Sequence, residues 1–359
     1  MSAPRGRAFL RFLLAIAWLA IAYFLSDRGA RGFTHGPAFP LLRNLFQIFL
    51  LIVGYSYMEL AWDKTREPMR TMGLVARSGA GREFALGAAL GWGMVTATIL
   101  VIALAGHFYV RLLGSAHAWA ILILQLLTLA AGSLAAELAF RGYPFQKLVQ
   151  ATGPFSATVL AGIFFAFLRM ETPGATATAL WISGVAAVLL SIAYLRTRAL
   201  WLCWGVHFAW LASVSLLFGQ PLAGVRYSSS VIQTYIDGPR WLTGSEYGPE
   251  GSLITLIVLW IGIYVLIRMT RDLAWNYTQP ELKPAGIPMD LSHPMHPAAP
   301  PAAASAPAQP APKAGLVQIA PADPPNPVSG ATQPDSSSGF LERRTEIDSA
   351  GGAETRENQ

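Results

Sequence analysis

Eight apolar stretches, each close to 20 residues long, dominate the first 270 residues of the 359-residue chain. A helix needs about 20 mostly apolar residues to cross a bilayer, so each stretch predicts one membrane-spanning helix. Charged residues make up 13% of the chain, about half the share in a typical soluble domain. The pattern predicts an all-α, polytopic membrane helical bundle with about eight transmembrane helices. The expected spans are roughly 8–26, 41–61, 84–106, 117–138, 155–170, 176–195, 199–218 and 252–270.

Composition changes near residue 276, where a Pro-, Ala- and Ser-rich tail begins. Its apolar content is too low to offset the entropy lost on ordering, so residues 276–359 are predicted to be a disordered tail. Residues 1–80 are predicted to form an N-terminal transmembrane hairpin with a cytoplasmic loop, and residues 81–275 a helical membrane domain. The single cysteine, Cys203, excludes an internal disulfide and a cysteine-rich metal site.

Basic residues between the apolar stretches indicate the orientation, because cytoplasmic loops carry an excess of Lys and Arg. With the N-terminus in the cytoplasm, fourteen Lys and Arg residues fall on the cytoplasmic side and seven on the opposite side. This distribution predicts an integral, multi-pass membrane protein with cytoplasmic N- and C-termini. The lipid bilayer is therefore an expected partner. The net charge of +6 is assigned to these loops, and nucleic-acid binding is not expected.

A glutamate and an arginine, Glu137 and Arg141, lie at the end of the fourth apolar stretch. An ionisable side chain at the bilayer centre costs roughly 2.5–3.5 kcal/mol, so such residues usually face the bundle interior and have partners. The two residues are four apart and share a helix face. They are interpreted either as an intrahelical ion pair or as a catalytic carboxylate held by an arginine. The spacing alone favours the ion pair.

His207 is the histidine placed well inside a predicted span, in the seventh apolar stretch. A single histidine on an apolar helix is more often a core residue than a ligand. A carboxylate and an imidazole in a dry bundle can nevertheless activate water or bind a divalent metal. If a metal such as zinc is bound, Glu137 and His207 are the expected ligands. Two protein ligands are fewer than the three of a typical catalytic zinc, so the metal stays open.

Two further charged residues flank the predicted spans. Arg169 ends the fifth stretch and is expected either to reach the membrane interface by snorkelling or to project toward Glu137. Glu250 lies just ahead of the last stretch and is interpreted as a cap of that helix.

Three short motifs, AELAFRG, FAFLR and HFAWL, contain most of these polar residues in the fourth, fifth and seventh stretches. Together they resemble the CPBP intramembrane proteases, a family that includes the type II CAAX prenyl endopeptidases and bacterial immunity-type members. The resemblance covers about residues 85–270, so the domain at 81–275 is predicted to be CPBP-like. It implies a helical bundle with a site that opens toward the cytoplasmic side.

The first motif of this family is Glu-Glu-x-x-x-Arg, often followed by Gly. AELAFRG matches it at Glu137, Arg141 and Gly142, but Ala136 stands in place of the first glutamate. The resemblance implies that the first glutamate and a histidine of the second motif activate a water for peptide-bond hydrolysis. Ala136 has no carboxylate and cannot act as a general base.

The second and third motifs, Phe-x-x-x-His and His-x-x-x-Asn, are each matched at one end. Phe165 matches and Arg169 replaces the histidine, whereas His207 matches and Leu211 replaces the asparagine. A guanidinium neither accepts a proton from water nor binds a metal, and a leucine cannot donate to the oxyanion that the third motif is thought to support. The three substitutions argue against ordinary family catalysis, so whether the chain is an enzyme stays open.

Three functions are compatible with the sequence. The first is an intramembrane endopeptidase, a hydrolase with Glu137, Arg141 and His207 as catalytic residues and a peptide or membrane protein as substrate. The second is a catalytically inactive family member, a pseudoenzyme that binds or scaffolds a partner in the membrane. The third is an ion-coupled transporter with Glu137 as the coupling acid, although the chain has neither an internal repeat nor paired broken helices.

Overall fold

The computed structural model describes residues 3–75, 78–172, 174–226 and 231–271. Within these residues, seven helical segments are long and apolar enough to cross a membrane. They correspond to the first seven predicted spans, and the eighth corresponds to a shorter apolar helix of 17 residues. The predicted fold class is confirmed, and the chain is a multi-pass integral membrane protein. The tail predicted at 276–359 lies outside the described residues, and the orientation stays a prediction.

The secondary-structure elements are labelled in chain order. The helices are α1 (Ala3–Phe33), α2 (Phe39–Met58), α3 (Pro68–Thr71), α4 (Ala80–Ala105), α5 (Ala116–Arg141), α6 (Tyr143–Thr152), α7 (Pro154–Leu168), α8 (Ala177–Thr197), α9 (Leu200–Ala212), α10 (Arg240–Thr243) and α11 (Leu253–Met269), and the strands are β1 (His107–Leu112) and β2 (Ile232–Asp237). One π-helical turn, Glu59–Asp63, continues α2 and another, Ser213–Leu217, continues α9.

Local sequence signals account for several helix ends. The side chains of Ser115, Thr176 and Ser252 accept hydrogen bonds of 3.1–3.2 Å from backbone N–H groups in the first turns of α5, α8 and α11. Such caps satisfy donors that have no partner inside the helix. Gly142 separates α5 from α6, and Pro144 lies in the first turn of α6, where its missing N–H removes no helical hydrogen bond. α5 therefore extends to Arg141, beyond the predicted end at 138.

Helices α4 and α9 approach so closely that side chains are excluded between them. A Cβ atom built on Gly87 would lie 2.2 Å from the carbonyl oxygen of Leu202, and one built on Gly205 would lie 2.2 Å from that of Phe84. Small residues at such crossings allow close backbone packing in membranes. The contact fixes the position of α9, the helix that contains His207.

A polar cluster joins the N-terminal hairpin to the rest of the bundle. The Asp63 carboxylate accepts hydrogen bonds from Arg11 of α1 and from the Tyr143 hydroxyl, at 3.0 Å for Tyr143. The Lys147 ammonium lies 2.9 Å from the same carboxylate, and the side chain of Lys147 is buried. These contacts connect α1 and the turn after α2 to α6, so the hairpin is anchored to the domain that follows it.

The two strands form an antiparallel ribbon that the sequence analysis did not predict. β1 pairs with β2 in a register that places His107 opposite Asp237 and Leu112 opposite Ile232. The partners are more than 100 residues apart, so no local turn signal predicts the pairing. The ribbon links the segment after α4 to the segment before α10, outside the helices that contain the candidate site.

Candidate functional site

The structure brings the three predicted site residues together around one carboxylate. Glu137 of α5 has no exposed surface. Its Oε1 atom lies 3.3 Å from Nη1 of Arg141 and 2.6 Å from Nδ1 of His207. A carboxylate at these distances from a guanidinium and an imidazole makes charge-assisted hydrogen bonds. Glu137 and Arg141 meet one helical turn apart, whereas His207 comes from α9.

Arg141 is held on several sides and is 1% exposed. Its Nη2 atom donates to the carbonyl oxygen of Ala187 in α8 at 3.2 Å, and its guanidinium lies 5.6 Å from the ring centroid of Phe165 in α7. The arginine thereby connects α5, α7 and α8. Among the described residues, Nε of Arg141 and Oε2 of Glu137 have no hydrogen-bond partner. The pair thus has the geometry of a buried intrahelical ion pair with an added histidine.

His207 lines a small cavity. The cavity has a volume of about 50 Å³ and is lined by His207, Arg169, Leu211 and Glu250, among others; it is called the histidine cavity below. Its volume is sufficient for water, which needs roughly 10–15 Å³ of such space per molecule. The imidazole side chain is 15% exposed. Because Nδ1 is taken by Glu137, Nε2 is the ring nitrogen left for this cavity.

The three substituted motif positions line cavities. Ala136 and Leu211 both line a larger cavity of about 780 Å³ between α1, α2, α5, α7 and α9; it is called the wide cavity below. Arg169 lies in the single turn that follows α7 and lines the histidine cavity. Within the described part of the chain, its guanidinium makes no ion pair or hydrogen bond with Glu137. Arg169 and His207 therefore border the same cavity, but the arginine is not a second partner of the carboxylate.

Glu250 is a polar residue of this region that the sequence analysis interpreted differently. The N-cap of α11 is Ser252, whose Oγ accepts from the Ile254 N–H, so the prediction that Glu250 caps this helix is wrong. Glu250 is instead 9% exposed, and its Oε1 accepts a 3.0 Å hydrogen bond from Nε1 of Trp210. The two residues are 40 positions apart. No local pattern could have indicated the contact.

We expect Glu250→Leu to lower the free energy of unfolding by about 1–2 kcal/mol, because the buried indole N–H of Trp210 loses its acceptor. Glu250→Gln keeps an oxygen acceptor of the same reach and should cost less. Thermal unfolding of both variants in detergent measures the difference. Equal destabilisation by the two substitutions would show that the hydrogen bond to Trp210 does not contribute.

The donor set does not fit a zinc centre. Among the described residues, no group of three or more His, Cys, Asp or Glu side chains is arranged to hold a metal ion. Glu137 and His207 supply two donors, and Oε1 of Glu137 is already shared with Arg141. A catalytic zinc typically has three protein ligands.

One comparison with known proteins returned a match to this region. A family model described as Rce1-like, type II CAAX prenyl endopeptidase, matches residues 117–213. The match begins at the start of α5 and ends just after α9, so it includes Glu137, Arg141 and His207. Comparisons with curated proteins and with solved structures returned no significant match.

Proposed function

From the premise that residues 117–213 form an Rce1-like domain in a multi-pass membrane protein, we propose that this protein is a non-hydrolytic relative of the CAAX endopeptidases. In this proposal, it binds a peptide or membrane-protein partner through the family's helical bundle and does not cleave it. The observation that carries the proposal is the contrast between Glu137, which is fully buried and bound by Arg141 and His207, and the apolar side chains of Ala136 and Leu211 in the wide cavity.

Peptide hydrolysis needs a base that reaches a water molecule, and the retained carboxylate is poorly placed for that role. Glu137 lines neither the wide cavity nor the histidine cavity. Its Oε1 already accepts hydrogen bonds from Arg141 and His207. The carboxylate could take a proton from water only by weakening these two contacts. The alanine at position 136 offers a methyl group to the cavity where a carboxylate would be required. Loss of a general base typically costs 10²–10⁴-fold in rate.

Positions 169 and 211 support the same conclusion. Arg169 borders the histidine cavity as a permanent cation, and a guanidinium does not accept a proton in a protein. Leu211 has no donor for an oxyanion, and the loss of one such donor typically costs about 10²–10³-fold. A cation and two apolar side chains therefore occupy the three positions that would have to supply a base, its partner and an oxyanion donor.

A second candidate is a working endopeptidase, and one observation favours it. The 2.6 Å contact between Glu137 and Nδ1 of His207 is the geometry by which a carboxylate orients an imidazole for proton transfer. In that case Nε2, the ring nitrogen of His207 that does not contact Glu137, would accept the proton of a water in the histidine cavity. The transporter alternative is less well supported, because Glu137 is paired and has no exposed surface from which to exchange a proton.

Hydrolysis of a farnesylated, internally quenched CAAX peptide tests the proposal. We expect the purified protein and its Glu137→Gln variant to give the same rate as buffer, with an active Rce1-like enzyme as the assay control. Binding of the same peptide, followed by fluorescence anisotropy, should remain measurable. Hydrolysis that Glu137→Gln abolishes would overturn the proposal in favour of the endopeptidase. Hydrolysis gained by the triple variant Ala136→Glu/Arg169→His/Leu211→Asn would support it further.

A further inference from the structure

The wide cavity adjoins a second cavity along the same helices. The second cavity has a volume of about 410 Å³ and is lined by Phe9, Phe12, Leu13, Leu148 and Leu160, among others; it is called the phenylalanine pocket below. The two cavities share four wall residues from α1, α5 and α7, namely Ile16, Ala139, Phe140 and Phe164. They therefore adjoin, and the two together are called the cleft below. The wide cavity is lined on α1 as far as Tyr23, about 21 Å along the helix from Phe9 at 1.5 Å per residue.

The two ends of this cleft differ in chemistry. Arg43, Asn44 and Gln47 of α2 line the wide cavity together with Tyr23. The phenylalanine pocket is lined almost entirely by apolar side chains, and its one charged wall residue, Arg141, is paired with Glu137. The cleft is polar and cationic near the point where α1 leads into α2, and apolar at its other end.

Arg43 has no acid of its own within the described residues. Its guanidinium lies 5.7 Å from the ring centroid of Tyr23, and its Nε atom is buried without a hydrogen-bond partner. The charge of Arg43 acts on Asp27, but the Asp27 carboxylate is bound by Arg31 through contacts of 2.8 and 3.4 Å. A buried guanidinium nitrogen without an acceptor is costly. An anionic group in the wide cavity would supply that acceptor.

We propose that this cleft binds one anionic phospholipid, with its phosphate at Arg43 and an acyl chain running past Ala136 and Phe140 into the phenylalanine pocket. Arginine is well suited to phosphate because its planar N–H groups match two oxygens at once. Arg43 lies four residues into α2, so it is near the end of the helix where headgroups are found. The cleft length of about 21 Å exceeds half of a hydrocarbon core of about 30 Å, so it can take the chain of one leaflet.

A lipid fits this cleft better than a transmembrane helix of a partner protein. A membrane-spanning helix presents mainly apolar side chains at this depth, so it would leave Arg43 without an anion. A phospholipid supplies the anion and the apolar chain in one molecule. The inference goes beyond the proposed function, because it names a lipid ligand for the cavity next to Ala136 and Leu211. Its test measures lipid retention and not hydrolysis, so either idea can fail without the other.

Native mass spectrometry of the full chain released from nanodiscs with equal phosphatidylglycerol and phosphatidylcholine tests the proposal. We expect one phosphatidylglycerol to be retained per protein, in preference to phosphatidylcholine. Arg43→Gln should lower this preference for phosphatidylglycerol roughly tenfold, because the variant loses one charge-assisted contact. Arg43→Lys should keep most of the preference. Arg28→Gln is the matched control, because Arg28 is an exposed arginine near the end of α1 that leads into α2.

A second pair of variants tests the acyl-chain part of the cleft. Ala136→Phe fills the wide cavity and should reduce retention of both lipids, whereas Ala97→Phe on the exposed face of α4 should not. If Ala136→Phe does not fold, as judged by gel filtration, the Arg43 and Arg28 variants decide alone. Equal retention of the two lipids by the unmodified protein, or an equal effect of Arg28→Gln and Arg43→Gln, would overturn the proposal. Recovery of a bound partner helix in place of lipid would overturn it as well.

Discussion

Glu137→Ala is expected to lower the free energy of unfolding by about 3–5 kcal/mol, the range found when one partner of a buried ion pair is removed. Within the described residues, the substitution leaves Arg141, which is 1% exposed, with one remaining acceptor, the carbonyl oxygen of Ala187. His207 loses its partner at the same time. Thermal unfolding in detergent, with chemical denaturation where it is reversible, measures the loss.

Two controls separate the charge effect from loss of volume. The double variant Glu137→Leu/Arg141→Met removes both charges and should recover most of the stability, since apolar replacement of a buried pair is often neutral or stabilising. Glu67→Ala breaks an exposed ion pair in which the side chain of Glu67 is 63% exposed and that of Arg70 is 73% exposed. This substitution should lower the free energy of unfolding by at most about 1 kcal/mol. A double variant that is as unstable as Glu137→Ala would contradict the explanation.

The same residues show why part of the site could be predicted from sequence. The spans could be predicted because a bilayer requires long apolar helices, whatever the tertiary packing. Glu137 and Arg141 lie one turn apart on such a helix, so their contact follows from helical spacing alone. Gly142 and Pro144 are local features at the boundary between α5 and α6, since Pro cannot continue a helix.

The remaining contacts depend on which helices pack together, and a single sequence does not contain that information directly. Family motifs pointed to the meeting of Glu137 and His207, because the resemblance relates residues 70 positions apart. No motif pointed to the bond between Glu250 and Trp210 or to the β1–β2 pairing. The sequence is compatible with two positions for Arg169, because the point where α7 ends decides whether its long side chain reaches a cavity or the membrane interface.

The wide cavity shows a further limit of motif reasoning. Ala136 and Leu211 could be identified as departures from the family pattern, but a motif states only which group is missing. The structure adds that both side chains border one space, together with Arg43 from a helix outside the matched region 117–213. The consequence of the substitutions therefore depends on α1 and α2, which the family motifs do not include.

Gly91→Val is expected to lower the free energy of unfolding substantially. Overpacking a close contact typically costs roughly 1–3 kcal/mol, and we expect a loss at or above the upper end of that range. A Cβ atom at Gly91 of α4 would lie 2.4 Å from the carbonyl oxygen of Val206, a backbone atom that cannot rotate away. Relief of this clash requires α9 to move away from α4. Because Val206 precedes His207, the same movement should lengthen the 2.6 Å contact between His207 and Glu137.

Gly93→Val is the matched control for this prediction, since a Cβ atom at Gly93 meets no other atom within 4 Å. Both glycines lie in α4 and lose the same backbone freedom, so intrinsic helix propensity changes equally at the two positions. Thermal unfolding should show a large loss for Gly91→Val and little change or a small gain for Gly93→Val. The histidine ring resonances of His207 should shift only in the first variant. Similar stabilities for the two would mean that the contact between α4 and α9 tolerates separation, and that the glycine crossing is not what holds His207 against Glu137.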